Sequence, residues 1–338
     1  MRLTALLAAM LLVACNAGTP AASPTPVPVE KVTFMAGFKP QANLPFVAVY
    51  VAQERGYFRE QALEVEIRHS AGSGEHIQLL ATGRIQFSTG SAGDVMKRVA
   101  DAGVPLVGVA QIGQRDEQSF AVRADSPIRT PKDWEGRIVG YKSTVSADYL
   151  ALLKIGGVDR SKVREVAVGF DPRVLADGRV DVYPVFTSNE PDTLSRLGIP
   201  VRLIDPTSYG VPGLGLGFIT NRETAEGKPD VVRRFLRASL RGLADAVADR
   251  DAAIDIVMKY APGEDRAHQR YMLDTEIEAA RDDPARTSGI GAMDRGRYVA
   301  LRDFLLQYGA LSKTVDVEAI FTDRFVKELY RDGVLVWR

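Results

Sequence analysis

Five stretches of this 338-residue chain place short polar side chains where a strand should give way to a helix. The first carries Phe38, Gln41, Asn43 and Phe46, two amides between two aromatic rings. The second carries Ser73, and the third Ser88, Thr89 and Ser91. The fourth carries Ser143, Thr144 and Ser146, and the fifth Asn189 and Glu190. Amides and hydroxyls donate and accept hydrogen bonds. The rings of Phe38, Phe46, Phe170, Phe186 and Tyr209 could stack on a ligand or wall it. That chemistry is recognition of a small organic molecule in a concave pocket. For any single hydroxyl, capping the helix behind it is the commoner role, and each ring could be core. The recurrence of the pattern is what favours a binding site.

Reactive arrangements are not legible in the same sequence. His69, His76 and His268 do not make a metal spacing such as HExxH. No GxSxG elbow occurs, and the loop around Gly72-Ser73-Gly74 lacks the Lys-Ser/Thr of a P-loop. The adjacent Asp282 and Asp283 read as a solvated helix end. No motif asks for a cofactor or a metal. The chain therefore reads as a binding protein and not as an enzyme. Its net charge of zero lacks the basic excess of a nucleic-acid binder. Hydrophobic content of 46% and charged content of 25% are ordinary for a soluble globular protein.

The elements that must position these residues follow from periodicity. Strands are predicted at 32–34, 63–67, 83–87 and 104–110, with helices between them and a return strand at 214–220. A second α/β unit, about residues 119–210, has strands at 120–122, 137–141, 163–168, 180–186 and 201–204. From residue 229 the pattern turns helical, beginning with an amphipathic stretch over 231–247. Ligands of open α/β sheets sit beyond the carboxyl ends of strands. Strand ends from two such units can converge only at a cleft between lobes. The expected division is lobe 1 from 31–118 plus 211–338, and lobe 2 from 119–210. Crossovers are expected near Gln111–Ser119 and Tyr209–Leu214, with Gly210-Val211-Pro212-Gly213 as a hinge.

The N-terminus reads as an address. Met1-Arg2 is basic, and Leu6 to Val13 is an apolar run too short to span a bilayer. Leu12-Val13-Ala14-Cys15 resembles the lipobox of bacterial lipoproteins. The resemblance implies a signal peptide over 1–14 and a lipid such as palmitate on Cys15, the single cysteine of the chain. Residues 15–30 then form the anchor and a Pro-rich tether. The expected location is the cell membrane, lipid-anchored on its extracytoplasmic face.

Three motifs, in order, carry a family resemblance. Tyr50-Val51-Ala52-Gln53-Glu54-Arg55-Gly56-Tyr57-Phe58 resembles the helix signature of ABC-transporter substrate-binding proteins for nitrate, sulfonates, taurine and vitamin precursors. Pro131 to Tyr141 resembles the segment that opens that family's second lobe, and Gly178-Arg179-Val180-Asp181-Val182 one of its strands. The resemblance covers about residues 31–245. It implies an α/β, two-lobed periplasmic-binding-protein fold of type II, with a helical C-terminal region on lobe 1. It also implies a protein that closes on its ligand and delivers it to ABC permease and ATPase subunits. Nothing in the sequence gives a reason to expect an oligomer, so a monomer is expected. The motifs are similar to the branch holding thiamine-pyrimidine binders, whose first loop carries a Trp. Here that loop is Gly37-Phe38-Lys39-Pro40-Gln41-Ala42-Asn43, which looks more like the riboflavin-binding members. The expected ligand is riboflavin or a related heterocycle, with a thiamine pyrimidine precursor or a sulfonate or nitrate as alternatives. A pyrimidine-synthesis enzyme shares the fold, but its cysteine-rich motif is absent here.

Overall fold

The structure is a computed structural model and describes residues 28–281 and 288–337. The expected signal peptide, the lipidation of Cys15, most of the tether and the Asp282-Asp283 pair lie outside the described residues. Among those residues no helix is long and apolar enough to cross a membrane.

The first four strands are β1 (Glu30–Ala36), β2 (Leu63–His69), β3 (Phe87–Ser91) and β4 (Leu106–Gln111). Helices Leu44–Glu54, Glu75–Ala81 and Ala92–Ala102 separate them. The chain then leaves for a second body. That body holds β5 (Gln118–Arg123), β6 (Ile138–Tyr141), β7 (Arg164–Ala167), β8 (Tyr183–Phe186) and β9 (Val201–Ile204). It returns in β10 (Leu216–Asn221). The first sheet has the order β2-β1-β3-β10-β4. β1 runs parallel to β2 and β3, while β10 is antiparallel to β3 and β4. The second body has the antiparallel sheet β8-β5-β9 and the parallel pair β6-β7. A bridge between Val139 and Val182 ties β6 toward β8.

Residues read as strand 83–87 fold differently. Gly83 takes a φ of 72° just past a helix end, and Gln86 accepts the Thr33 N–H on its side chain at 2.9 Å. The strand therefore starts at Phe87 and runs through the hydroxyls read as a loop. The long helix Pro229–Ala248 packs the first sheet with Phe235 at its centre. That ring lies 3.9 Å from Phe87, 5.6 Å from Phe58 and Phe218, and 6.0 Å from Phe34, centroid to centroid. The same helix approaches Leu44–Glu54 so closely that a Cβ on Gly242 would fall 2.3 Å from the Ala48 carbonyl oxygen. Arg234 on this helix is buried and donates to the carbonyls of Gln61 and Ala62. The short helix Val317–Ile320 and the hairpin pairing Tyr330–Arg331 with Val334–Leu335 lacked any pattern long enough to read.

The two crossovers run side by side. The Gly113 amide donates to Leu216, the Gly215 amide donates to Gly113, and the Gln111 amide side chain donates to the carbonyls of Gly113 and Gly215. A Cβ on Gly215 would stand 2.5 Å from the Arg115 carbonyl oxygen, so only glycine permits this approach. The crossovers thus pair through hydrogen bonds at Gly113 and Gly215, next to the Gly210–Gly213 segment read as the hinge, whose Gly213 lies against Asp116.

Candidate functional site

The two bodies meet across a cleft. At one rim the Phe38 and Phe170 rings lie 4.2 Å apart, and the Ser143 hydroxyl donates to the Gly72 carbonyl. At the other, the ring nitrogens of His268 lie 2.6 Å from Asp192 and 3.0 Å from Asn189 Oδ1. Between the rims is a cavity of about 200 Å³. The first body lines it with Phe38, Gln41, Asn43, Phe46, Thr89 and Ser91. The second lines it with Ser143, Thr144, Phe170, Phe186, Asn189 and Glu190.

Three of the residues read as ligand contacts lie outside this lining. Ser88 is fully buried and donates 2.6 Å to the Met35 carbonyl. It sits within β3, where alternation turns Thr89 and Ser91 to the cleft and Ser88 away. The Ser73 hydroxyl donates to Glu75 on the surface. Tyr209 packs on the core beneath the second sheet.

The two amides of the first loop are held by a carboxylate that the sequence did not single out. Glu276, buried on the helix Arg266–Ala280, accepts the Leu44 N–H at 2.5 Å and the Asn43 amide donor. It thereby satisfies an N–H group at a helix start. Asn43 in turn accepts from Gln41. Burial pushes the Glu276 carboxyl well above its usual range, and Glu117 nearby adds to this. Glu117 itself is pushed up to about 7, chiefly by burial.

The cleft is more acidic than the loops suggested. Asp94, Asp116 and Asp148 also line it, as do His76, Arg98, Lys142 and Tyr149. Burial raises the carboxyls of all three aspartates, that of Asp116 to about 6. Burial lowers His76 to about 4, so its ring is neutral at pH 7. Lys142 is committed, paired with Glu190 and set 5.1 Å from the Tyr183 ring and 5.3 Å from the Phe170 ring. The lining thus carries four carboxylates, Asp94, Asp116, Asp148 and Glu190, against the two cations Arg98 and Lys142. Asp94 and Asp148 sit in first helical turns, where an acid reads as a complement to the helix dipole. Their convergence was not visible in the sequence.

This geometry suits an aromatic ligand held between rings, with polar edges met by amides, hydroxyls and carboxylates. Residues 43–253 match the family described as NMT1/THI5 like. The chain is 28% identical over 340 residues to the riboflavin-binding protein RibY of Chloroflexus aurantiacus, covering 94% of this chain and 95% of that one. It is 29% identical over 280 residues to the formylaminopyrimidine-binding protein of Halalkalibacterium halodurans, covering 81% and 82%. Among solved structures it is similar to the periplasmic aliphatic sulphonate binding protein SsuA of Escherichia coli. There the TM-score is 0.65 at 16% identity, covering 86% of this chain and 91% of that one. This last likeness is one of fold, and with it the expected two-lobed α/β periplasmic-binding-protein architecture holds.

Proposed function

The chain belongs to the NMT1/THI5-like family, and from that premise we propose that it is the substrate-binding component of an ABC importer and that its ligand is riboflavin. The observation that carries the ligand is similarity along nearly the whole chain to a riboflavin-binding protein. The cleft supports it, because Phe38, Phe46, Phe170 and Phe186 supply rings from both bodies around one cavity. Mechanism follows from the fold. A ligand contacting both bodies favours the closed arrangement by the difference in its affinity for closed and open states. The paired crossovers at Gly113 and Gly215 are where the hinge would turn. A membrane permease with its ATPase would then receive the ligand. In this reading the protein works outside the cytoplasm as a monomer, held to the membrane by lipid on Cys15.

A pyrimidine ligand is the second reading. The likeness to a formylaminopyrimidine-binding protein and the acidic lining both favour it, since an aminopyrimidine offers N–H donors to carboxylates. A sulfonate is disfavoured by the four carboxylates of the lining.

The site is tested by truncating a wall and an edge. Phe186→Ala and Asn43→Ala are each expected to weaken riboflavin binding, by roughly 10-fold or more, from lost ring contact or a broken amide network. Fluorescence quenching gives the affinities, and circular dichroism checks that the fold is kept. Unchanged affinity in both variants would sink the proposed cleft.

A further inference from the structure

We propose that Asp94, Asp116 and Asp148 make one end of the cleft a reader of hydrogen-bond donors, so that the ligand's buried polar end is a hydroxyl or amine array and not an anion. The inference rests on the heterocycle-binding reading and deepens it. For a flavin it separates riboflavin from its phosphate ester.

The three carboxyls arrive from three places. Asp94 lies in the first turn of Ala92–Ala102, Asp116 on the crossover between β4 and β5, and Asp148 in the first turn of Ala147–Ile155. Closure of the cleft therefore gathers them. Asp148 is only 5% exposed, lines the cavity, and shares a hydrogen bond with Asp116. Among the described residues no Lys or Arg forms an ion pair with it. Gathering like charges away from water is costly unless protons or donors meet them. Asp94 is met by the Ser91 hydroxyl and the Ala147 N–H, and Asp116 by the Gln118 N–H at 3.0 Å and the Glu117 N–H, all of them neutral donors. Arg98 stands one turn beyond Asp94 and offsets that carboxylate, while Lys142 is held by Glu190.

A separate observation points the same way. Glu117, 8% exposed, has a buried Oε2 with no hydrogen-bond partner. It lines a smaller cavity that shares Phe186 and Leu216 with the main one. Acceptors are thus in surplus on this side of the cleft. A ligand rich in O–H or N–H supplies what they lack. A phosphate or sulfonate supplies no such donors, and it adds negative charge beside whichever of these carboxyls is ionised.

The probes are riboflavin, lumichrome (the ring system without the ribityl chain) and flavin mononucleotide, titrated by fluorescence into the full chain. Riboflavin and lumichrome are expected to bind, and the mononucleotide to bind at least about 100-fold more weakly than riboflavin. Asp94→Asn and Asp116→Asn should each narrow that gap, by about 10-fold. Two variants are used so that a folding failure in one, visible as a changed circular-dichroism spectrum, leaves the other to decide. Mononucleotide and riboflavin binding alike overturns the proposal and leaves the flavin reading intact. A gap unchanged in both variants overturns it too. If neither riboflavin nor lumichrome binds, the flavin reading has failed, and a 4-aminopyrimidine is set against an alkanesulfonate. Binding of the aminopyrimidine alone supports donor reading, and any other result overturns it.

Discussion

Phe235→Ala is expected to cost about 3–5 kcal/mol of unfolding free energy. Phe235 is fully buried on the Pro229–Ala248 helix and touches the rings of Phe34, Phe58, Phe87 and Phe218. Three of those rings come from strands β1, β3 and β10 of the first sheet, and Phe58 follows the Leu44–Glu54 helix. Truncation removes a large apolar side chain and leaves a cavity. The surrounding rings cannot easily collapse into it, because each is fixed by its own strand or helix. Leu203→Ala is the control: Leu203 is 37% exposed, and its loss should cost less than about 1 kcal/mol. Denaturant unfolding of both variants measures the difference. A loss at Phe235 no greater than at Leu203 would contradict this view of the core.

Raising the pH from 5 to 8 is expected to weaken ligand binding, by about 10-fold. The cause is the seam between Glu117 and Glu276. Glu276 faces the Leu44 amide, Asn43 and the Ser188 hydroxyl, which is 3.4 Å away. Glu117 faces Ser188, and Asp116 and Glu190 add negative charge beside it. Both carboxyls are raised in the closed cleft, Glu117 from 4.5 to about 7. A raised carboxyl means that the closed state holds its proton more tightly than an opened, hydrated state. The closed state is then favoured below 4.5, loses that advantage as the pH climbs to about 7, and changes little above it. Glu117→Gln isolates the seam, because it keeps the shape and removes one titration. Its affinity should vary less with pH than that of the unmodified protein and exceed it at pH 8. Parallel pH profiles for the two proteins would rule the seam out as the cause.

Much of the fold was legible because its elements are long and periodic. The apolar run of β4, the alternation of β2, and the helical face around Phe235 each commit a segment to one structure. The family motifs at Tyr50–Phe58 and Pro131–Tyr141 added the two-lobed arrangement. The cleft was legible where a residue sits at a strand end beside small neighbours, as with Phe38, Ser143 and Asn189. It was illegible where long-range pairing decides orientation. Ser88 and Thr89 are adjacent hydroxyls, and only the pleat of β3 sends one to the core and the other to the cleft. Glu276 lies 232 residues from the helix start it caps at Leu44, in an otherwise ordinary helix. Asp94 and Asp148 look like routine first-turn acids. Only closure of two bodies reveals that they share one space with Asp116.

The most direct test of the proposed ligand is a riboflavin titration of the natively purified chain, preceded by its absorbance and mass spectra. Flavin that co-purifies, or added riboflavin whose fluorescence is quenched to saturation at one equivalent, is the expected result. A chain that stays folded, carries no flavin and leaves riboflavin fluorescence unchanged at concentrations well above its own would contradict the riboflavin assignment. It would pass the cleft to the pyrimidine reading.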